Sequence, residues 1–243
     1  MQTRTRIVAK LEIKSDFVVK PIYFEGLKKI GNPKLLAEKY QSEEIDEIII
    51  NDIVASLYRR KPNLKLLSET INGLSIPICL GGGIQSVDDA INLINCGADK
   101  INLNTAALSE NANIIDKIVK LLGKQSLVLE IQAKKIGNKW FCLTDNGRIN
   151  SKKELLNWVE EVESRGAGEI FLQSVDNDGT MKGYDIDLLE KVLNKIKVPL
   201  IFSSGCGSLD DVKKILKYNI SAICISSALH YKKIKVKQIK KIL

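Results

Sequence analysis

The chain has 243 residues, and 37 basic against 29 acidic side chains leave a formal charge of +8 at pH 7. Much of that excess lies in KKIKVKQIKK near the C-terminus, read as one solvated helix face, and aromatics are only 5% of residues, too few to interleave with it as a nucleic-acid surface would need. No run approaches the roughly 18 apolar residues of a membrane span, and the five cysteines (Cys79, Cys96, Cys142, Cys206, Cys224) form no CxxC pair, so a reduced, cytoplasmic protein without nucleic-acid or membrane partners is expected.

Arg6 to Ile13, RIVAKLEI, alternates as a strand and places Glu12 near its end, and the polar segment from Lys14 to Lys29 reads as a long, mobile first loop. A helix around Pro33 to Glu43 leads to the strand EIIIND, whose end presents Asp52, and Ser68 to Leu74 closes a second helix. Further on, SLVLEIQAKK is a strand with Gln132 at its end, facing Glu12 across the interior. Gly137–Asn138 and Asn146–Gly147 then mark a small β-hairpin inserted in a loop. Leu155 to Arg165 is an amphipathic helix feeding the strand EIFLQ and the loop SVDNDGTMKGYD. Asp176, Asp178 and Asp185 of that loop lack the spacing of a calcium loop and have Lys182 among them, which favours positioning of substrate hydroxyls over a metal site.

The stretch from Ile76 to Leu108, IPICLGGGIQSVDDAINLINCGADKINLNTAAL, returns ungapped as Val198 to His230, at an offset of 122 residues (Pro77 to Pro199). Each copy reads as strand, glycine-rich loop, short helix, strand and small-residue loop, a βαβ unit. Alternating strands and helices with one unit in each half predict a single (β/α)8 barrel over residues 1–243, built of half-barrels of about 1–122 and 123–243. Gly81, Gly82 and Gly83 precede the N-cap candidate Ser86, and such loops let backbone N–H groups approach an anion. One phosphate site is therefore expected at Gly82, Gly83, Asn104 and Thr105, and a second at Gly205, Ser226 and Ser227. Arg6, Glu47, Lys100 and Glu169 each begin an apolar run, so they can converge at the opposite end of the barrel.

The segments VVK with FEGL, DEIIINDIVAS, GGGI, GADKINLNTAA, WVEEVESRGAGEI, DNDGTMKGYD and SALH together resemble the HisF family, the cyclase subunit of imidazole glycerol phosphate synthase, over nearly the whole chain. The resemblance implies a lyase-type enzyme of histidine biosynthesis with no cofactor and no metal. It also implies a HisH-like glutaminase partner that docks on the barrel bottom as a heterodimer and passes ammonia through the barrel. It assigns Arg6, Glu47, Lys100 and Glu169 to the ammonia gate, Asp99 to the partner interface, and Lys20, Asp52, Asp178 and Gly179 to the substrate site with the two phosphate loops. Two aspartates carry acid/base catalysis in that family, and their positions hold Glu12 and Gln132 here, while Gln173 replaces a small hydroxyl residue. A glutamine neither takes nor gives a proton at neutral pH. These departures point to a divergent paralogue using ammonia on another acceptor, similar to the HisF-like proteins of acetamidino modification of surface sugars. The alternatives are a working histidine-pathway cyclase and a noncatalytic, phosphate-binding ammonia conduit.

Overall fold

The protein is described from a computed structural model covering residues 4–109 and 113–243. Strand β1 (Arg6–Lys14) runs into an antiparallel hairpin of β2 (Phe17–Ile22) and β3 (Glu25–Gly31), followed by α1 (Pro33–Ser42) and β4 (Glu47–Asp52). Next come α2 (Leu64–Ile71), β5 (Ile78–Gly81), α3 (Val87–Asn95), β6 (Lys100–Leu103), α4 (Thr105–Leu108) and α5 (Ile114–Leu122). The second half holds β7 (Leu127–Ile136), β8 (Lys139–Thr144), β9 (Ile149–Glu154), α6 (Leu155–Ser164), β10 (Glu169–Ser174) and α7 (Ile186–Leu193). It ends with β11 (Leu200–Ser203), α8 (Leu209–Ile215), β12 (Ala222–Ile225), α9 (Ser227–His230) and α10 (Val236–Lys240). Eight parallel strands close in the order β1, β4, β5, β6, β7, β10, β11, β12 and back to β1. This is a (β/α)8 TIM barrel.

Period-two alternation sorts each barrel strand between two environments. In β1, Ile7, Ala9, Leu11 and Ile13 join the large apolar layer under the helices, while Val8 joins Ile49, Cys79, Val128, Phe171, Ile201, Ala222 and Cys224 inside the barrel. Lys10 and Glu12 continue the inward series above that inner layer and are fully buried. Local sequence sets the helix starts. The Asn32 side chain accepts from Leu35 N at 3.1 Å with Pro33 at the first helical position, and Ser86 and Ser208 each close a capping box with the aspartate three residues on.

Two expectations are corrected. The segment from Lys14 to Lys29 is not a loose loop: β2 pairs with β1 and β3 with β2, and the turn carries Tyr23 and Phe24 at positive φ (51° and 63°). The basic stretch near the C-terminus is helical only over α10, whose Val236 and Ile239 are buried and whose Lys240 pairs with Asp46. The second hairpin forms as read, with β7 extended into it so that β7, β8 and β9 are antiparallel neighbours. Phe24 from the first hairpin, Leu143 from the second and Val175 pack together, so both hairpins meet over the barrel mouth. No helix of the described residues is long and apolar enough to cross a membrane.

Candidate active site

At the C-terminal ends of the strands, the two repeat copies fold alike. Asn104 and Ser226 share an unusual backbone conformation (φ −125°, ψ −83° and φ −125°, ψ −77°), and Thr105 and Ser227 open the four-residue helices α4 and α9 that follow. Gly82, Gly83 and Gly205 have φ of 93°, 76° and 95°, and the chain is tight around them: a Cβ on Gly83 would lie 2.6 Å from Arg60 O. One cleft is lined by Asp52, Gly82, Gly83, Asn104, Thr105 and, deeper, Asn102, Glu130 and Gln132. The other is lined by Lys20, Asp178, Gly179, Gly205, Ser226 and Ser227. Asn104 is committed to the scaffold, since its Nδ2 donates to Glu130 O (3.0 Å) and Leu143 O (3.2 Å) and so ties the second hairpin to β6. Thr105 Oγ1 accepts from Asp145 N at 3.0 Å.

Between the clefts, the barrel centre is filled by a buried polar network. Lys10 Nζ donates to Glu12 Oε1 (3.1 Å) and Gln173 Oε1 (2.8 Å) and lies 3.8 Å from Glu130 Oε1. Its ammonium sits between the Phe24 and Phe171 rings, 5.5 and 5.6 Å from their centroids. Lys20 Nζ bridges Glu12 Oε2 (2.6 Å) and Asp178 Oδ1 (3.0 Å). Glu130 gathers four carboxamides: Asn51 Nδ2 (2.8 Å) and Asn102 Nδ2 on Oε2, Gln132 Nε2 (2.9 Å) and Gln173 Nε2 on Oε1. Gly81 makes room for this, because a Cβ there would collide with Asn51 Oδ1.

Burial alone would push the Glu12 carboxyl up, but the ammonium groups of Lys10 and Lys20 outweigh it and hold it down at about 2. The same exchange runs the other way for Lys20: burial lowers it, and Asp178 and Glu12 more than restore it, so its pKa is raised. Burial leaves Asp178 and Asp52 above their ordinary carboxyl range despite Lys20 beside the first and the Val54 N–H and Arg60 beside the second. Glu12 is therefore an ionised carboxylate at neutral pH, able to accept a proton only in company with two cations.

At the other end, Arg6 contacts Glu47 and Glu169, and Lys100 Nζ closes the ring at 3.2 Å from Glu47 Oε1 and 2.8 Å from Glu169 Oε2. Burial raises Glu47 more than Lys100 and Arg6 lower it, and Lys100 is itself raised because Glu47 and Glu169 outweigh its burial. Asp99 lies on this face, accepts from Ile78 N at 2.8 Å, and lines a surface groove with Glu69, Asn72 and Cys96.

The family model described as histidine biosynthesis protein matches residues 6–235. Imidazole glycerol phosphate synthase subunit HisF of Legionella pneumophila is 41% identical over 210 residues, 86% of this chain and 99% of that protein. The same-named subunits of Sulfurisphaera tokodaii and Dictyoglomus thermophilum are 39% and 40% identical, covering 99% and 98% of this chain and 96% and 94% of theirs. The chain belongs to the HisF family. As a homologue of these subunits it is a lyase/cyclase-type enzyme, and the narrower expectation of a sugar-modifying paralogue finds no support among these relatives.

Within this HisF-family barrel Glu12 and Gln132 both belong to the buried central network, linked through Lys10 and Glu130. Asp176, Asp178 and Asp185 go to separate partners, respectively Lys135 N (2.8 Å), Lys20, and the N-terminus of α7 with Ser174 Oγ (2.7 Å). Lys10, Asn51, Asn102 and Glu130 escaped the sequence reading. For Lys10 and Glu130 the signal was present in RIVAKLEI and LVLEIQ, where a charge interrupts an apolar strand two residues before the position singled out, and period two puts both on the inner face.

Proposed function

We propose that this chain is the synthase subunit of a HisF-type pair that holds a ligand with two phosphates across the barrel mouth and receives ammonia from a glutaminase partner on the opposite face. The observation that carries this reading is the matched backbone of the two small-residue loops on one face, at Asn104 and Ser226, each beside a positive-φ glycine loop. The ring of Arg6, Glu47, Lys100 and Glu169 at the far end supports the ammonia gate, and the adjoining groove at Asp99 supports docking of a HisH-like partner there. The histidine-pathway reaction is the first candidate, given the relatives' names, with Glu12 the carboxylate at the acid/base position.

A second reading is favoured by Gln132 together with Lys10 and Glu130: a paralogue that keeps the phosphates and the gate but aminates another acceptor. Turnover of the imidazole glycerol phosphate synthase substrate, with ammonium chloride replacing the partner, separates them. Acid/base groups contribute roughly 10²–10⁴-fold, so under the second reading the unmutated protein binds this substrate but turns it over far below about 1 s⁻¹. Gln132→Asp combined with Glu12→Asp should then raise the rate. A rate near 1 s⁻¹ in the unmutated protein shows that Glu12 suffices and removes the paralogue reading.

A further inference from the structure

Among the described residues, buried side-chain polar atoms without a hydrogen-bond partner include Asn102 Oδ1 and Gln132 Oε1, on residues that are 3% and 4% exposed and line the same cleft. Their direction is dictated by Glu130. Turning the Gln132 amide over would set its oxygen against Glu130 Oε1, and turning Asn102 would do the same at Oε2, so the nitrogens must face the carboxylate and the oxygens must face away. The neighbouring amides do not take up those oxygens, and Asn146, whose Nδ2 lines the same cleft without a partner, makes no bond to them either. Asn51 directs its Nδ2 to Glu130, and Gln173 directs its Nε2 to Glu130 while its Oε1 accepts from Lys10. Two buried acceptors are thus held ready for a donor, at a cost that an arriving N–H group would remove.

The charge around them selects the donor. Asp52 and Glu130 line this cleft and no lysine, arginine or histidine does, in contrast to the second cleft, which contains Lys20. Asp52 has Arg60 at 3.5 Å, but Glu130 shares Lys10 with Glu12, and across the connected network three carboxyl groups (Glu12, Glu130, Asp178) face two lysines (Lys10, Lys20). A hydroxyl would satisfy the oxygens, but a cation also answers that excess of acidic groups. We propose that the inner end of this cleft is a recognition site for an amino group of a phosphate monoester, received by Asn102 Oδ1 and Gln132 Oε1. The phosphate end rests on the cradle of the proposed function at Gly82, Gly83 and Thr105. Gln132 becomes a specificity determinant, and Glu130 a positioning residue that orients both amides.

The test is calorimetric titration of the full chain with inorganic phosphate, with ω-aminoalkyl phosphates of increasing length, and with n-alkyl phosphates of the same heavy-atom count. At the best length the amino compound should bind at least about tenfold tighter than its alkyl counterpart, the scale of one well-made hydrogen bond to a charged group. Asn102→Leu and Gln132→Met keep shape and remove one acceptor each. Each should erase most of that preference while leaving alkyl phosphate affinity within about twofold, and two separate variants guard against one that fails to fold. Equal affinity of amino and alkyl probes at every length, or a preference that survives both substitutions, overturns the site. Failure of inorganic phosphate to bind overturns the cradle instead. In that case n-alkylammonium probes decide: saturable binding that Asn102→Leu abolishes supports the amino site, and its absence sinks it.

Discussion

His230 is the only histidine in the chain, and its place beside the second cleft makes it a reporter of that region. Its Nδ1 meets Tyr40 OH at 2.6 Å and its Nε2 meets Ser226 Oγ at 3.1 Å, while Ser226 Oγ donates to Lys10 O at 3.1 Å. Burial, then Lys20 and Lys39, push its pKa down to about 4 against the opposing pull of Glu12. A base depressed on folding adds stability that is whole above its unfolded pKa of 6.5 and is lost as pH falls toward 4, because the unfolded chain takes the proton first. The loss should reach about 2–3 kcal/mol between pH 7 and pH 4.5. Glu47, Asp52 and Asp178, raised by burial, act in the opposite sense, so the comparison is with His230→Gln. Urea unfolding at the two pH values should show the wild type losing that much more than the variant, and parallel losses would count against a neutral, buried imidazole. The same neighbourhood shows what a residue-level reading sees. Glu12 and Gln132 were legible by position in a known pattern, whereas the partners that decide their chemistry, Lys10 and Glu130, come from β1 and β7 and meet only when the barrel closes.

At the scale of elements, α3 and α8 begin with the same device. Ser86 Oγ accepts from Asp89 N at 3.2 Å and Ser208 Oγ from Asp211 N at 3.2 Å, and each aspartate returns to its serine's N–H at 3.0 and 2.9 Å. Ser86→Ala and Ser208→Ala should each cost about 1 kcal/mol in chemical denaturation, since each leaves one helix donor unanswered. The two caps share no partner, so the double variant should cost about the sum, within roughly 0.5 kcal/mol. A clear excess would reveal coupling between the segments we read as equivalent parts of two half-barrels. Such caps are local, and for that reason they were readable in QSVDD and GSLDD. The first hairpin was not readable. Only four residues of β2 are buried, one of them Lys20, and β3 is mostly exposed. Its turn uses Tyr23 and Phe24 where an Asn-Gly pair would have announced it, and Phe24 finds its reason only in Leu143 and Val175 far along the chain.

At the scale of the whole molecule, a charged ring lies at one end of the barrel and the ligand clefts at the other. Between them lie an apolar layer of Val8, Ile49, Cys79, Val128, Phe171, Ile201, Ala222 and Cys224, and then the layer of Lys10, Glu130 and Gln173. Neutral ammonia suits an apolar layer, while an ammonium ion would have to shed its water there, which is costly without a counter-charge. Under the proposed function, the ring is where ammonium would be held and the layer above it is where only ammonia passes. Lys100→Ala removes one of the ring's two cations and leaves Arg6 to hold Glu47 and Glu169. In complex with the glutaminase that the proposed function calls for, this variant should lose about tenfold or more in glutamine-driven amination. Turnover driven by ammonium chloride and binding of phosphate ligands should stay within about twofold, because the clefts lie at the far end. A drop of that size is about 1.4 kcal/mol at the barrier. If both nitrogen sources lose equally, the ring serves the fold rather than the route. If neither loses, ammonia enters from the mouth side, and the ring is a closed ionic seal on the barrel bottom.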